Sequence, residues 1–295
     1  MKVIKLALFF NSNRGFKVFK FLKKKNNIKI IKIYLAKKNI DKKILKKVKK
    51  IKVRSVLIKN INDNNICKFI KNKNVDINLV CGFPYIFNKK LIKSSKYGTL
   101  NLHGGRLPMY RGGSPLNWQI INNEKFIGIS ITKLINKGID NGPVISSYKF
   151  RLSKKYDIKD VQNIAHKNFP KLAYKSLLKI YNKPNFKFEK QSKKKSKYYR
   201  QRKAEDGLVL WSKMSNINVH NLVRAITNPY PGAFTYNKKK EKIKILKTKI
   251  VNNFSLSINP GEVKKIKNKI YVKCKLGLVQ IISHSPKLKN GIILR

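Results

Sequence analysis

Asn101-Leu102-His103-Gly104-Gly105-Arg106-Leu107-Pro108-Met109-Tyr110-Arg111-Gly112-Gly113-Ser114-Pro115 joins a strand-like run to a helix-like one, and the fold is read outward from it. Residues 97–102 have the composition of a strand, and residues 114–122 that of a helix with Pro115 in its first turn. Asn101 and His103 are two apart at the strand end, so alternation puts both side chains on one side. The glycines and prolines that follow let backbone approach a ligand closely. Asp140 lies in a second glycine-flanked loop, after a further strand-like run at 127–134. A lone Asn-x-His is most often a polar turn. An amide, an imidazole and a carboxylate on loops at strand ends form a constellation suited to acyl transfer.

Upstream, apolar runs at 3–10, 28–35, 53–58 and 77–81 read as strands. Between them Phe16, Val18, Phe19 and Leu22 recur at helical spacing, and 40–50, 61–71 and 88–95 also read as helices. Strands alternating with helices predict an α/β fold with a doubly wound, mostly parallel sheet. No Gly-x-Gly-x-x-Gly follows the first strand and no Walker loop is present, so the fold brings no nucleotide cofactor with it. Ligands of such sheets sit beyond the carboxyl ends of the strands, where Asn101 and His103 fall. Downstream, 144–150 closes the sheet and 157–181 is a long amphipathic helix. A Lys/Ser/Gln-rich stretch then reads as a linker. Beyond it a helix around Val219–Ile226 and five short β-like runs (233–236, 243–251, 263–266, 270–274, 278–282) predict a small β-barrel. The expected domains are 1–190, a basic linker at 191–205, and 206–295.

A formal charge of +58 over 295 residues raises nucleic acid or an anionic surface as partner. Of the 70 basic residues 61 are Lys, spread along a chain rich in Asn and Ile. These are the residues of A/T-rich codons, so coding bias accounts for much of the charge. Cys67, Cys81 and Cys274 form no metal or disulfide pattern, which fits a reducing, cytoplasmic setting. The apolar run at 6–10 is too short for a signal peptide, and no stretch approaches the ~18 apolar residues of a membrane span.

The Asn-x-His pair, Leu107-Pro108-x-Tyr110-Arg111-Gly112, Pro115-Leu116-Asn117-Trp118 and Gly138-Ile139-Asp140-x-Gly142 resemble, in order and spacing, the core motif of the folate-dependent formyltransferases. Val219-His220-Asn221-Leu222-Val223-Arg224-Ala225-Ile226 with Pro229-Tyr230-Pro231-Gly232-Ala233-Phe234 resembles the start of that family's C-terminal domain. It is most similar to the form in UDP-4-amino-4-deoxy-L-arabinose formyltransferase. The resemblance covers nearly the whole chain. It implies a Rossmann-like catalytic domain with an OB-like barrel, Asn101, His103 and Asp140 as the catalytic trio, and 10-formyltetrahydrofolate as formyl donor without a metal. It implies further that Phe83, Pro84, Tyr85, Ile86, Arg106, Leu107 and Pro108 contact the folate, and Tyr110, Arg111 and Gly112 the acceptor.

The chemistry of the residues agrees. Asn101 can donate to an oxygen that becomes an oxyanion. His103, with Asp140 fixing its tautomer and favouring the imidazolium, can take a proton from an attacking amine.

Three departures matter. The usual His-x-Ser-Leu-Leu-Pro is here His103-Gly104-Gly105-Arg106-Leu107-Pro108. The Ala-Gly-Thr-Pro-x-Phe loop of the tRNA enzymes is replaced by Phe10-Asn11-Ser12-Asn13-Arg14-Gly15-Phe16. The long insertion with which those enzymes grip the tRNA acceptor arm is absent after Leu35. The last departure favours an amino-sugar nucleotide as acceptor; the charge and the lysine-rich linker speak for initiator methionyl-tRNA. A non-catalytic nucleic-acid-binding protein would show basic patches interleaved with stacking aromatics and no intact trio. Single-domain purine-pathway formyltransferases share the trio but neither the Tyr-Arg-Gly loop nor the C-terminal half.

Overall fold

The computed structural model describes residues 3–61, 63–135, 138–183, 188, 190–252, 256–286 and 288–295. In chain order the elements are β1 (Ile4–Phe10), α1 (Asn13–Leu22), β2 (Ile28–Ala36), α2 (Lys42–Lys49), β3 (Ser55–Ile58), α3 (Asn64–Asn72), β4 (Ile77–Cys81), α4 (Lys89–Ile92) and β5 (Thr99–His103). Then come β6 (Arg111–Gly112), α5 (Pro115–Ile121), β7 (Phe126–Lys133), β8 (Val144–Arg151), α6 (Ile158–Asn182), β9 (Tyr198–Tyr199) and α7 (Asn216–Ile226). Five strands complete the chain: β10 (Ala233–Tyr236), β11 (Lys242–Val251), β12 (Val263–Ile266), β13 (Lys269–Lys273) and β14 (Leu278–Ser285).

The first sheet has the order β3-β2-β1-β4-β5-β7-β8. Its first five strands are parallel, and β5 pairs antiparallel with β7. β1 and β4 are almost wholly buried, as central strands covered on both faces must be, and their sequences are correspondingly near-continuous apolar runs. On one face Phe9 stacks on Tyr34 with ring centroids 4.6 Å apart and meets Phe87 edge-on at 5.0 Å. The buried amide of Asn78 on β4 donates to Ser94 Oγ (3.0 Å), Leu91 O and Thr99 Oγ1 (both 3.3 Å). It thereby ties α4 and the start of β5 to the sheet. The doubly wound, mostly parallel sheet read from the sequence is present.

The chain divides into two compact units, Met1–Gly112 with Gly128–Lys149 and Ile164–Tyr198, and Gly113–Ile127 with Phe150–Asn163 and Tyr199–Arg295. This differs from the expected boundaries at 190 and 206. Residues 191–198, read as linker, belong to the first unit: Lys197 N–H donates to Pro108 O (3.2 Å) and Arg111 N–H to Lys197 O (3.0 Å). Lysine and serine report exposed side chains; they say nothing of whether the backbone beneath is hydrogen-bonded.

The second unit carries an antiparallel sheet in the order β10-β11-β14-β13-β12. Residues 292–295 stitch its two edges together. Val263 N–H donates to Ile292 O and Leu294 N–H to Gly261 O, while Tyr236 and Arg295 exchange both of their backbone hydrogen bonds. The C-terminal segment thereby bridges the two edge strands β10 and β12. Trp211, 2% exposed, donates Nε1–H to Thr235 Oγ1 (3.0 Å) in its core.

Candidate active site

The parallel register aligns Phe9 with Val80 and Val80 with Asn101, so the carboxyl ends of β1, β4 and β5 share one edge of the sheet. Asn101 and His103 stand there, as alternation along β5 requires. Asp140 reaches them from the loop between β7 and β8. Its φ of +51° is left-handed, a conformation that costs a non-glycine residue roughly 1 kcal/mol. Asn101 Nδ2 donates to Asp140 Oδ1 (3.2 Å), Gly112 N–H donates to Oδ2 (3.1 Å), and His103 Nδ1 lies 3.2 Å from the same Oδ2. One carboxylate therefore gathers an amide, a backbone N–H and an imidazole.

The other imidazole nitrogen, Nε2, lies 2.5 Å from Tyr110 O. Gly105 makes that approach feasible, because a Cβ there would stand 2.3 Å from Tyr110 O and 2.4 Å from Nε2. Two acceptors thus flank a ring that, when neutral, has one proton to donate. Burial nevertheless pushes His103 below its ordinary range; the Asp140 charge and the Tyr110 carbonyl oppose this, and Arg14 adds to it. The expectation that Asp140 favours the imidazolium holds for the carboxylate alone, and desolvation outweighs it. When the ring takes up a proton, both of its N–H groups have an acceptor in place, Asp140 Oδ2 at Nδ1 and the Tyr110 carbonyl at Nε2.

The other residues singled out in the sequence lie as follows. Phe83, Pro84 and Tyr85 are half-buried just past β4, with Phe83 and Tyr85 edge-to-face at 5.6 Å, and Ile86 is 77% exposed. Arg106, Leu107 and Pro108 are half-buried, with Arg106 packed over Gly128 and Leu107 N–H directed at Ser130 Oγ (3.4 Å). Tyr110 is buried and lends its carbonyl to His103, while Gly112 lends its N–H to Asp140. Arg111 donates Nε–H and Nη2–H to Ile139 O (3.0 and 2.9 Å) and Nη1–H to Ser196 Oγ (2.9 Å).

Two participants escaped the sequence reading. Ser130 on β7 donates Oγ–H to Gly105 O (2.8 Å), and Gln191 Nε2 donates to Asp140 O (2.8 Å) and Gly142 O (2.6 Å). Neither belongs to a motif, so nothing in the sequence marks them. Among the described residues no group of three or more His, Cys, Asp or Glu could hold a metal ion, and no helix is long and apolar enough to cross a membrane.

Comparison with known proteins gives this geometry its setting. Residues 11–177 match the model of the formyl transferase family and residues 202–292 that of the formyl transferase C-terminal domain. The bifunctional polymyxin resistance protein ArnA of Wigglesworthia glossinidia brevipalpis is 33% identical over 81% of this chain, which spans 36% of that longer protein. The methionyl-tRNA formyltransferase of Thermodesulfovibrio yellowstonii is 30% identical, with 77% of this chain and 71% of that protein covered.

Among solved structures, the N-formyltransferase of Helicobacter canadensis, in complex with folinic acid and dTDP-3-aminofucose, superposes with a TM-score of 0.73 at 19% identity, covering 96% of this chain and all of that one. A sugar 3-N-formyltransferase solved with dTDP and 5-N-formyltetrahydrofolate gives 0.70 at 22% identity, covering 98% of this chain and all of that one. The chain belongs to the formyl transferase family, enzymes that transfer formyl groups.

Proposed function

We propose that this member of the formyl transferase family moves a formyl group from 10-formyltetrahydrofolate to the amino group of a nucleotide-linked amino sugar. The observation that carries the choice of acceptor is the connection between β2 and α2. Only residues 37–41 join them, and they are tied down. Asn11 donates its amide to Ala36 O (3.0 Å) and Lys38 O (2.7 Å) and accepts from Ala36 N–H (2.7 Å), while Asp41 caps α2 through Lys43 N–H and Ile44 N–H. No insertion is present where the tRNA enzymes are expected to carry theirs. The near-full-length match to structures of sugar N-formyltransferases, solved with folates, supports the same reading.

The residues past β4 fit a folate. Ile86 is a large apolar side chain left open beside the rings of Phe83 and Tyr85, a surface that a planar heterocycle would cover. With Leu107 and Pro108 these residues would hold it. The bound folate supplies the formyl group. Asn101, with one amide hydrogen on Asp140, turns the other to the oxygen that gains negative charge during transfer. His103, oriented by Asp140, takes up the amine's proton, and the imidazolium so formed donates from one nitrogen to Asp140 and from the other to the Tyr110 carbonyl. Tyr110, Arg111 and Gly112, expected on the acceptor side, serve the trio and its loop through the Tyr110 carbonyl, the Arg111 guanidinium and the Gly112 N–H. The free cysteines Cys67, Cys81 and Cys274 go with a cytoplasmic setting.

A second reading, formylation of initiator methionyl-tRNA, draws on the net charge of +58 and on relatives that are methionyl-tRNA formyltransferases. Purified protein given 10-formyltetrahydrofolate with dTDP-3-aminofucose, UDP-4-amino-4-deoxy-L-arabinose or initiator methionyl-tRNA decides between them. Formylation of a sugar nucleotide is expected; efficient formylation of the tRNA alone overturns the proposal.

A further inference from the structure

Three carbonyls of the Asp140 loop receive donors from side chains outside it. Arg111 holds Ile139 O, and the single amide nitrogen of Gln191 holds both Asp140 O (2.8 Å) and Gly142 O (2.6 Å). The orientation of that amide is fixed, because reversing it would set Oε1 against two carbonyl oxygens. The loop needs such restraint. Asp140 is left-handed at φ +51°, and Gly142 is folded so tightly onto the end of β7 that a Cβ would lie 1.7 Å from Lys133 O. A turn of this kind persists only when its surroundings over-determine it.

The strap that carries Gln191 is itself anchored at a second point, since Arg111 Nη1–H donates to Ser196 Oγ (2.9 Å) and Arg111 N–H to Lys197 O (3.0 Å). The strap and the Asp140 loop are therefore locked together from both ends.

We infer that Gln191 is a positioning residue: it clamps the backbone on either side of Ile139–Asp140–Gly142 so that the Asp140 carboxylate stays aimed at Asn101 and His103. The inference rests on the trio reading above, but it can fail separately. Losing the clamp lets the loop relax out of its left-handed turn and weakens the hold of the carboxylate on the imidazole. The groups that face His103 are Asp140, the Tyr110 carbonyl and, from α1, Arg14; the clamp acts on the first of these.

The test uses the full chain and the variants Gln191→Met, which keeps length and removes both donated bonds, and Gln191→Glu, which presents oxygens to the carbonyls. NMR titration of the 4 histidines requires no acceptor. Gln191→Met should lower the titration midpoint of His103 and leave His166, His220 and His284 where they were, a pattern that general loosening would not give. Turnover, measured with 10-formyltetrahydrofolate and the acceptor chosen by the side-by-side assay, should fall by roughly 10- to 100-fold with KM for folate nearly unchanged. Gln191→Glu should be as slow near pH 8 and partly recover on acidification, where a protonated carboxyl regains one donor.

Adding Gln191→Met to Asp140→Asn should then produce no further loss, as expected of two residues acting through one group. An unshifted His103 with near-normal turnover overturns the inference, as does a loss fully additive with Asp140→Asn. Normal turnover of Asp140→Asn alone overturns the trio reading and this inference with it. If Gln191→Met does not fold, Gln191→Glu and its recovery in acid decide alone, and absence of recovery counts against the clamp.

Discussion

Asp140 is surrounded by donors: the Asn101 amide, the Gly112 N–H and the imidazole of His103 all meet its carboxylate. Asp140→Asn keeps the shape but replaces one acceptor oxygen by a donor, which must face either the Asn101 amide or the Gly112 N–H. We expect turnover to fall by about 10²–10⁴-fold, the range typical of losing a positioned acid–base or oxyanion contact. Folate binding, followed by calorimetry, should stay within a few-fold of wild type. Wild-type turnover would remove the trio from the mechanism.

The pH profile follows from burial. Desolvation lowers His103, so its working neutral form persists into mild acid and is lost only as pH falls through the lowered value. The acid limb of kcat/KM should therefore lie below the ordinary histidine value of about 6.5. In Asp140→Asn, which lacks the charge opposing that shift, the limb should move lower still. A limb above about 7 would mean that the imidazolium is the resting form.

At the scale of elements, α7 shows how one buried cation can hold several loops. Arg224, 8% exposed, donates Nη1–H to Ser153 O and Tyr156 O (both 2.9 Å) and Nε–H to Asn221 Oδ1 (2.9 Å). Arg224→Met fills much of the same space and leaves these acceptors unmatched, which should destabilise the protein by about 2–3 kcal/mol. Denaturant titration of the full chain would show it, and a midpoint equal to wild type would contradict the account.

Most of the elements were legible in the sequence, the two-residue strands β6 and β9 excepted. β4, β10 and β12 have the boundaries read from their apolar runs, because a strand bounded by polar turns marks both of its ends. Asn101, His103 and Asp140 were legible through residue type and loop glycines, and the structure brings them together. What could not be read is carried by backbone atoms and by distance along the chain. The Tyr110 carbonyl on His103 has no side-chain identity, Gln191 lies 51 residues from Asp140, and the bridging by residues 292–295 is main-chain pairing. Residues 191–198, read as linker, likewise belong to the first unit through main-chain hydrogen bonds.

The whole molecule bears on the acceptor through its charge. Lysines dispersed over a surface of net charge +58 attract any anion, but attraction without a fitted contact disappears as salt rises. A tRNA must be held through many phosphates, so its kcat/KM should drop by about 10³-fold or more between 50 and 200 mM salt if six or more contacts form. A sugar nucleotide presents one diphosphate, and the same interval should change its kcat/KM by only about a few-fold. The smaller acceptor that we propose agrees with the β2–α2 connection, which is only five residues long and is tied at Lys38 and Asp41. Measuring initial rates for both acceptors across that salt range separates a surface that merely collects anions from one built to grip RNA. We expect shallow salt dependence with the sugar nucleotide and negligible turnover of methionyl-tRNA even at low salt. Rapid, steeply salt-sensitive formylation of the tRNA would show that the lysines themselves form the grip, in place of the missing insertion.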